Sequence, residues 1–176
     1  MTITRLTAAD FAAHVPALAG LLVDAVAGGA SVGFLAGLDE AAAVAWWQGR
    51  AAAVAGGSLG VWVADGPDGV IGTISLAYPD KPNARHRAEV VKLAVHRAAR
   101  GRGLGRDLLA TAEQAAAAAG ITLLLLDTET GSAAERLYES AGWQRYGLVE
   151  DYAADPSGSL KDCSFLVKRL ARRGGV

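Results

Sequence analysis

Phe11, Val15, Leu18, Leu22 and Val26 recur at three- and four-residue spacing, the period of an amphipathic helix. Thr7-Ala8-Ala9-Asp10 opens that helix as a capping box with Asp in place of Glu or Gln, and Gly28-Gly29-Ala30-Ser31-Val32-Gly33 breaks it. Residues 2–6 read as a short first strand. A second helix is predicted from Asp39 to Val54, ending at Gly56-Gly57; of its Trp46 and Trp47, one is expected in the core and the other at its rim. Residues 59–64 and 70–78 are apolar strands around Asp65-Gly66-Pro67-Asp68-Gly69, a hairpin pattern. After a loop marked by Pro79 and Pro82 comes a strand over 88–95. A glycine-rich loop then leads into an Ala/Leu-rich helix, Asp107 to Ala119, stopped by Gly120. Ile121 to Thr128 is nearly continuous in apolar residues, as in a strand buried on both faces. Ser132-Ala133-Ala134-Glu135 is a full capping box for a helix ending at Gly142. Trp143 to Val149 and Cys163 to Leu170 close the chain as strands, with a polar loop from Asp151 to Asp162 between them.

The predicted order is β-α-α-β-β-β-α-β-α-β-β. The strand–helix–strand crossover over 88–128 requires a parallel pair inside a mixed, mostly antiparallel sheet. The fold class is therefore α/β, with helices on both faces of one sheet and a single domain over residues 1–176. A chain of 176 residues, 52% hydrophobic, is long enough for a real core. Its net charge of −1 favours neither nucleic acid nor an anionic membrane surface. Arginines cluster at Arg85/Arg87, around the glycine loop, and at Arg169/Arg172/Arg173, the last read as a solvated tail. The lone Cys163 excludes an intramolecular disulfide, suits a reducing compartment and reads as a small apolar filler. Met-Thr-Ile-Thr-Arg is not a charged-then-apolar leader, and no uninterrupted apolar run reaches about 18 residues. A soluble, cytoplasmic protein with no membrane and no nucleic-acid partner is expected. His14, His86 and His96 lack metal-ligand spacing, so no metal is expected.

The stretch with the most chemistry is Arg100-Gly101-Arg102-Gly103-Leu104-Gly105. Glycines at alternate positions leave backbone N–H groups uncovered, and the following helix adds its unpaired N–H groups and positive dipole end. Together they form an anion site suited to a pyrophosphate, with Arg100, Arg102 and Arg106 adding charge. The dinucleotide pattern fails because its third glycine falls on Arg106; a P-loop fails because Arg106-Asp107 stand where Lys and Ser/Thr are needed.

What remains, Arg-x-x-Gly-x-Gly at Arg100, Gly103 and Gly105, resembles the acyl-CoA loop of the GNAT N-acetyltransferase superfamily. The element order matches that fold over essentially the whole chain. Ala134 to Trp143 resembles the family's closing Ala-x-x-Leu-Tyr-x-x-x-Gly-aromatic helix, with Gly131 where many members have Asn; the contact of that Asn is missing or falls to Ser132. The resemblance implies acetyl-CoA as cosubstrate, with pantetheine paired to main-chain groups of Leu93 and Val95. It places the pyrophosphate on Gly101 to Arg106 and splays the strand Leu123 to Thr128 from its parallel neighbour. A homodimer through the closing strands is also compatible with it. Gly29 to Phe34, Gly57 to Trp62, Lys81-Pro82-Asn83, Arg87-Ala88-Glu89 and Asp127-Thr128-Glu129 further resemble the tabtoxin-resistance branch, which acetylates a β-lactam amino acid.

Acetyl transfer to an amine needs a proton acceptor, because an alkyl ammonium has a pKa of about 10. The resemblance points to Glu89, whose apolar strand would raise its carboxyl. A main-chain N–H near Leu93 would stabilise the developing oxyanion. Tyr138 would protonate the leaving thiolate. Asp127 and Glu129 share one face of an extended segment at a strand's carboxyl end, as ammonium ligands or as the alternative base. Phe34, Trp46 and Tyr152 are candidates to line the acceptor pocket. The expected activity is N-acetylation of a small-molecule amine by direct attack in a ternary complex. The alternatives are a protein or peptide acceptor, or a non-catalytic acyl-CoA-binding module. The acceptor classes differ in whether residues 28–38 and 151–162 close a pocket or leave a groove.

Overall fold

The computed structural model describes residues 2–67 and 69–171; Asp68 of the predicted hairpin turn and Arg172 and Arg173 of the predicted tail lie outside them. Seven strands form one sheet: β1 Thr2–Arg5, β2 Leu59–Gly66, β3 Gly69–Ala77, β4 Arg87–Val95, β5 Leu123–Glu129, β6 Gln144–Ala154 and β7 Leu160–Arg169, in the order β1-β2-β3-β4-β5-β7-β6. Only β4 and β5 run parallel; every other neighbour is antiparallel. The helices are α1 Ala8–Ala27, α2 Glu40–Gln48, α3 Ala51–Ala55, α4 Leu104–Ala118 and α5 Ala133–Ser140.

The central strands are apolar on consecutive positions because helices cover both faces. Val61 and Val63 pack with Phe11, Val15, Leu18 and Trp47 of α1 and α2. The alternate residues Trp62 and Ala64 pack with Leu104, Leu108 and Leu109 of α4, alongside Tyr138 of α5. Trp47 is the core member of the tryptophan pair and Trp46 lies at the rim. By length and composition α1 reaches the range of a membrane span, which a search for an uninterrupted apolar run passes over. In this fold its apolar face is part of the core.

Three local expectations change. The helix predicted over 39–54 is two helices, because the chain caps α2 at Gly49 and restarts after Arg50. Helix α4 begins at Leu104, three residues early, so Gly105 and Arg106 lie in its first turn. The loop predicted over 151–162 is mostly sheet: β6 runs through Ala154 and β7 starts at Leu160. The Asp155 carboxylate closes the remaining turn by accepting from the Ser157 and Ser159 amides at 2.8 and 3.1 Å, so polar residues there serve a tight hairpin rather than a loop.

Glu113 locks the far end of the sheet to α4. Its carboxylate accepts from Trp143 Nε1 at 2.8 Å and from Lys168 Nζ at 2.6 Å, and Lys168 also donates to the Ala141 carbonyl. Glu113→Ala leaves a largely buried ammonium and an indole N–H without their acceptor. It should cost about 2–3 kcal/mol, read as a lower urea midpoint with an unchanged slope.

Candidate active site

The pairing of β4 with β5 covers only Arg87–Leu123, Ala88–Leu124 and Glu89–Leu125. Beyond Glu89, β4 stays on β3 and β5 stays on β7, so the two strands part. The edge of β4 that would face β5 is thereby left without a ladder partner, a ready template for an added strand-like ligand. A bulge falls in the same stretch: Ser75 pairs with Val91 and Thr73 with Ala94, so Ile74 stands opposite both Lys92 and Leu93. Lys92 has φ 53°, a left-handed conformation unusual for a lysine. Leu93 and Val95 turn toward the α4 cluster, while Val91 turns toward α1 and α2. The Val95 carbonyl accepts from Arg100 Nε at 3.0 Å.

At the carboxyl end of β4 a short turn, Arg97–Ala99, leads into the glycine loop. Gly101 and Gly103 have φ 77° and 84°, and an added Cβ at either would meet nothing within 4 Å. Their bareness therefore serves conformation and access rather than internal packing. Gly103 is the N-cap of α4 and supplies no side-chain acceptor; the Arg106 amide turns back to the Gly103 carbonyl at 2.9 Å, and the Leu104 and Gly105 amides remain uncapped. That arrangement fits an anionic pyrophosphate. Gly105 has a different role: a Cβ there would come within 3.2 Å of Leu137 Cδ2, so it lets α4 approach α5. Of the loop arginines, Arg100 is bonded to Val95 and Arg106 Nη2 to Ser140 Oγ at 2.7 Å. Arg102 is exposed and makes no side-chain bond among the described residues. Asp24 of α1 holds the base of the loop, accepting from the Arg97 amide at 2.9 Å and from Arg97 Nε at 2.7 Å.

Asp127 sits where the strands part, and its charge acts on Glu89, Lys92, Tyr138, Tyr152 and Cys163. The Glu89 carboxyl is pushed up by partial desolvation, then by Asp127, with Arg87 opposing. Because Ala88 and Leu124 belong to the α4 side, their neighbours Glu89 and Leu125 face the other way, and Asp127 and Glu129 follow by strand alternation. Tyr138 comes from the opposite face on α5. Its ring is buried against Trp143, and burial, then Asp127, pushes its phenol well above 10. Its hydroxyl makes no hydrogen bond to another described residue, leaving it free to donate. Burial, then Asp127, pushes the Cys163 thiol up to about 11; Cys163 Sγ lies 3.6 Å from Asp127 Oδ2. A neutral thiol in that position is not a nucleophile. Ser132 Oγ caps α5 by accepting from the Glu135 amide, and the Gly131 amide donates to Glu135 Oε2.

The acetyltransferase (GNAT) domain family matches residues 57–145, just over half of the chain. The chain belongs to the GNAT acetyltransferase family. Its matched segment runs from the start of β2 to the start of β6 and so contains the parting strands, the glycine loop and Tyr138. Rat N-acetyltransferase 8B is 34% identical over 90 residues, which is 50% of this chain and 40% of that protein; the match thus spans less than half of the curated relative. Ribosomal-protein-alanine N-acetyltransferase from Brucella melitensis superposes with a TM-score of 0.75 at 26% identity, covering 97% of this chain and 100% of that one. Phosphinothricin acetyltransferase from Sinorhizobium meliloti, solved with acetyl-CoA, superposes at 0.79 and 21% identity over 97% and 89% of the two chains, a likeness of fold.

On the face of the sheet that carries Glu89 and Asp127, Phe34 and Trp46 stack edge to face at 5.6 Å, and Tyr152 meets Phe165 at 5.2 Å. The Tyr152 phenol is pushed up by Asp127 first, then by desolvation and by the charges of Cys163 and Glu89. The Ala36 amide donates to the Pro156 carbonyl at 2.7 Å, joining the segment after α1 to the β6–β7 turn. Glu129 is half-buried and pairs with Cys163 across the ladder. Sequence reasoning missed Lys92, although a lone lysine in an apolar strand carries the same signal that singled out Glu89. It also missed that Cys163 lies beside Asp127, a contact between strands remote in sequence.

Gly103→Val forces a β-branched residue into φ 84° and fills the open space before α4. It should weaken acetyl-CoA at least about tenfold in titration calorimetry. Gly120→Ala, with φ 80° at the other end of α4, should lose stability while keeping that affinity.

Proposed function

We propose that this GNAT domain transfers an acetyl group from acetyl-CoA to the amine of a small molecule, by direct attack in a ternary complex. The observation that carries the reading is the parting of β4 and β5 after Glu89, next to the glycine loop, with Glu89 and Asp127 on one face of the sheet and Tyr138 on the other. Acetyl-CoA supplies the acetyl group as a thioester, and the uncapped start of α4 with Gly101 and Gly103 would hold its pyrophosphate. Main-chain groups of Leu93 and Val95 would align its pantetheine along the free edge of β4. Glu89 takes the proton from the acceptor ammonium, while Asp127 holds that ammonium in place and is the alternative base. Tyr138 returns a proton to the departing sulfur. No covalent enzyme intermediate is needed.

The bond between Ala36 and Pro156 supports a small acceptor, since it ties shut one end of the region that a peptide would thread. The likeness to the tabtoxin-resistance branch supports an amino-acid-like or β-lactam acceptor and a protective role. The lone cysteine supports work in the cytoplasm. A protein or peptide acceptor is the second reading, favoured by the likeness to the Brucella enzyme.

Free-CoA release with β-lactam amino acids, polyamines, aminoglycosides and short peptides decides between them. Release above hydrolysis with a small amine is expected; release with peptides alone would replace the proposal by the second reading. In the same assay Tyr138→Phe, which keeps the ring and its packing, should lower kcat about 10- to 100-fold with acetyl-CoA affinity unchanged. If affinity falls and turnover does not, Tyr138 is not the acid.

A base must be ionised to work. The acceptor kcat/KM of the wild type should therefore fall as pH drops through a pKa above the ordinary glutamate value. Glu89→Gln should remove that limb and lower kcat by about 10²–10³. A pH profile unchanged in this variant would move the base to Asp127.

A further inference from the structure

The bulge in β4 does more than interrupt a ladder. Val91 already faces α1 and α2, and strict alternation would turn the next residue into the α4 core. With φ 53° at Lys92 the chain instead presents two successive residues to the same side. Lys92 thereby joins Glu89 and Asp127 on the acceptor face. A left-handed backbone is strained at a non-glycine residue.

The ammonium so placed is partly buried and short of negative charge. Lys92 Nζ donates to the Val32 carbonyl at 2.8 Å and lies 5.1 Å from the Trp46 ring and 5.8 Å from the Phe34 ring. That uses one of its three N–H groups. Arg50 lies over the same indole, 4.4 Å from its centroid. Among the described residues neither cation has a carboxylate within 4 Å. Burial pushes the Lys92 ammonium down; Asp127 opposes this from beyond ion-pair distance, and Arg50 adds to it more weakly. Two cations without counter-ions thus share one tryptophan, beside a pair of acids suited to an amine.

We propose that Lys92 is a specificity-determining residue that binds a carboxylate on the acceptor, so that the acceptor is a zwitterion: an amino-acid-like molecule with its amine toward Glu89 and Asp127. The inference rests on the acetyltransferase reading above and narrows its acceptor class. An anion at Lys92 supplies the close counter-ion that neither cation has among the described residues. A polyamine would set a second cation against Lys92 and Arg50.

The test is a set of matched pairs: the twenty common L-amino acids, each against its own α-carboxamide, in the free-CoA assay. In at least one productive pair the wild type should prefer the acid by about tenfold or more in kcat/KM. Lys92→Met keeps the stem without the charge and should abolish that preference with acetyl-CoA KM unchanged; Lys92→Arg should keep part of it. Equal use of acid and amide by the wild type overturns the inference, as does acetylation confined to amines that lack a carboxylate; either leaves the acetyltransferase reading intact. A drop in Lys92→Met that is equal for both members also overturns it, because Lys92 would then only brace residues 28–38. If no amine is turned over, the acetyltransferase reading fails, and binding decides the inference separately. With CoA present, saturable tryptophan quenching by the acid alone, absent in Lys92→Met, upholds it; equal or no response overturns it.

Discussion

The short parallel pairing of β4 with β5 is the constraint on which the site depends. Three residue pairs hold the two strands together, and after Glu89 each follows its other neighbour. A sheet that stayed paired would bury the β4 edge and shut off Asp127 from Tyr138. The gap leaves main-chain groups without partners, which is costly inside a protein. The loss is tolerated because the gap opens beside the glycine loop, where a strand-like ligand can complete the ladder.

Charge at the gap is organised by distance more than by bonding. Asp127 influences Glu89, Lys92, Tyr138, Tyr152 and Cys163, yet its nearest side-chain contact among them is the weak one to a thiol. A carboxylate in such surroundings keeps the phenol and the thiol protonated and makes a neighbouring glutamate a better base. The same field favours a cation in the gap, where an acceptor ammonium would arrive. Lys92 stands apart as a fixed cation held from the other side by Val32 and two aromatic rings.

The rest of the fold supplies rigidity. Two hydrophobic clusters, one on each face, clamp the central strands. Asp24 ties α1 to the turn before the glycine loop, and Lys92 ties the segment after α1 to β4. Both ties join α1 or the segment that follows it to β4 and the turn after it, so these parts of the molecule share one frame. Positions held in this way are those where small displacements cost most in rate.

Much of this was written in local patterns. Periodicity located α1, the hairpin of β2 and β3, and β5, since burial on one face or two imposes spacing directly on the chain. The glycine loop and Tyr138 were legible because backbone access and the closing helix constrain consecutive residues. Helix ends and the β6–β7 hairpin were not, because Asp155 and Gly103 act through geometry that composition alone reads as loop. The sequence by itself thus determined the order of the strands, the two faces of the sheet and the place of the glycine loop between β4 and α4. Only the tertiary structure decided how few residues join β4 to β5, that Lys92 turns to the same face as Glu89, and that Asp127 lies where the two strands part. Those outcomes depend on register between strands far apart in the chain, and a single-residue shift in register exchanges one face of a strand for the other.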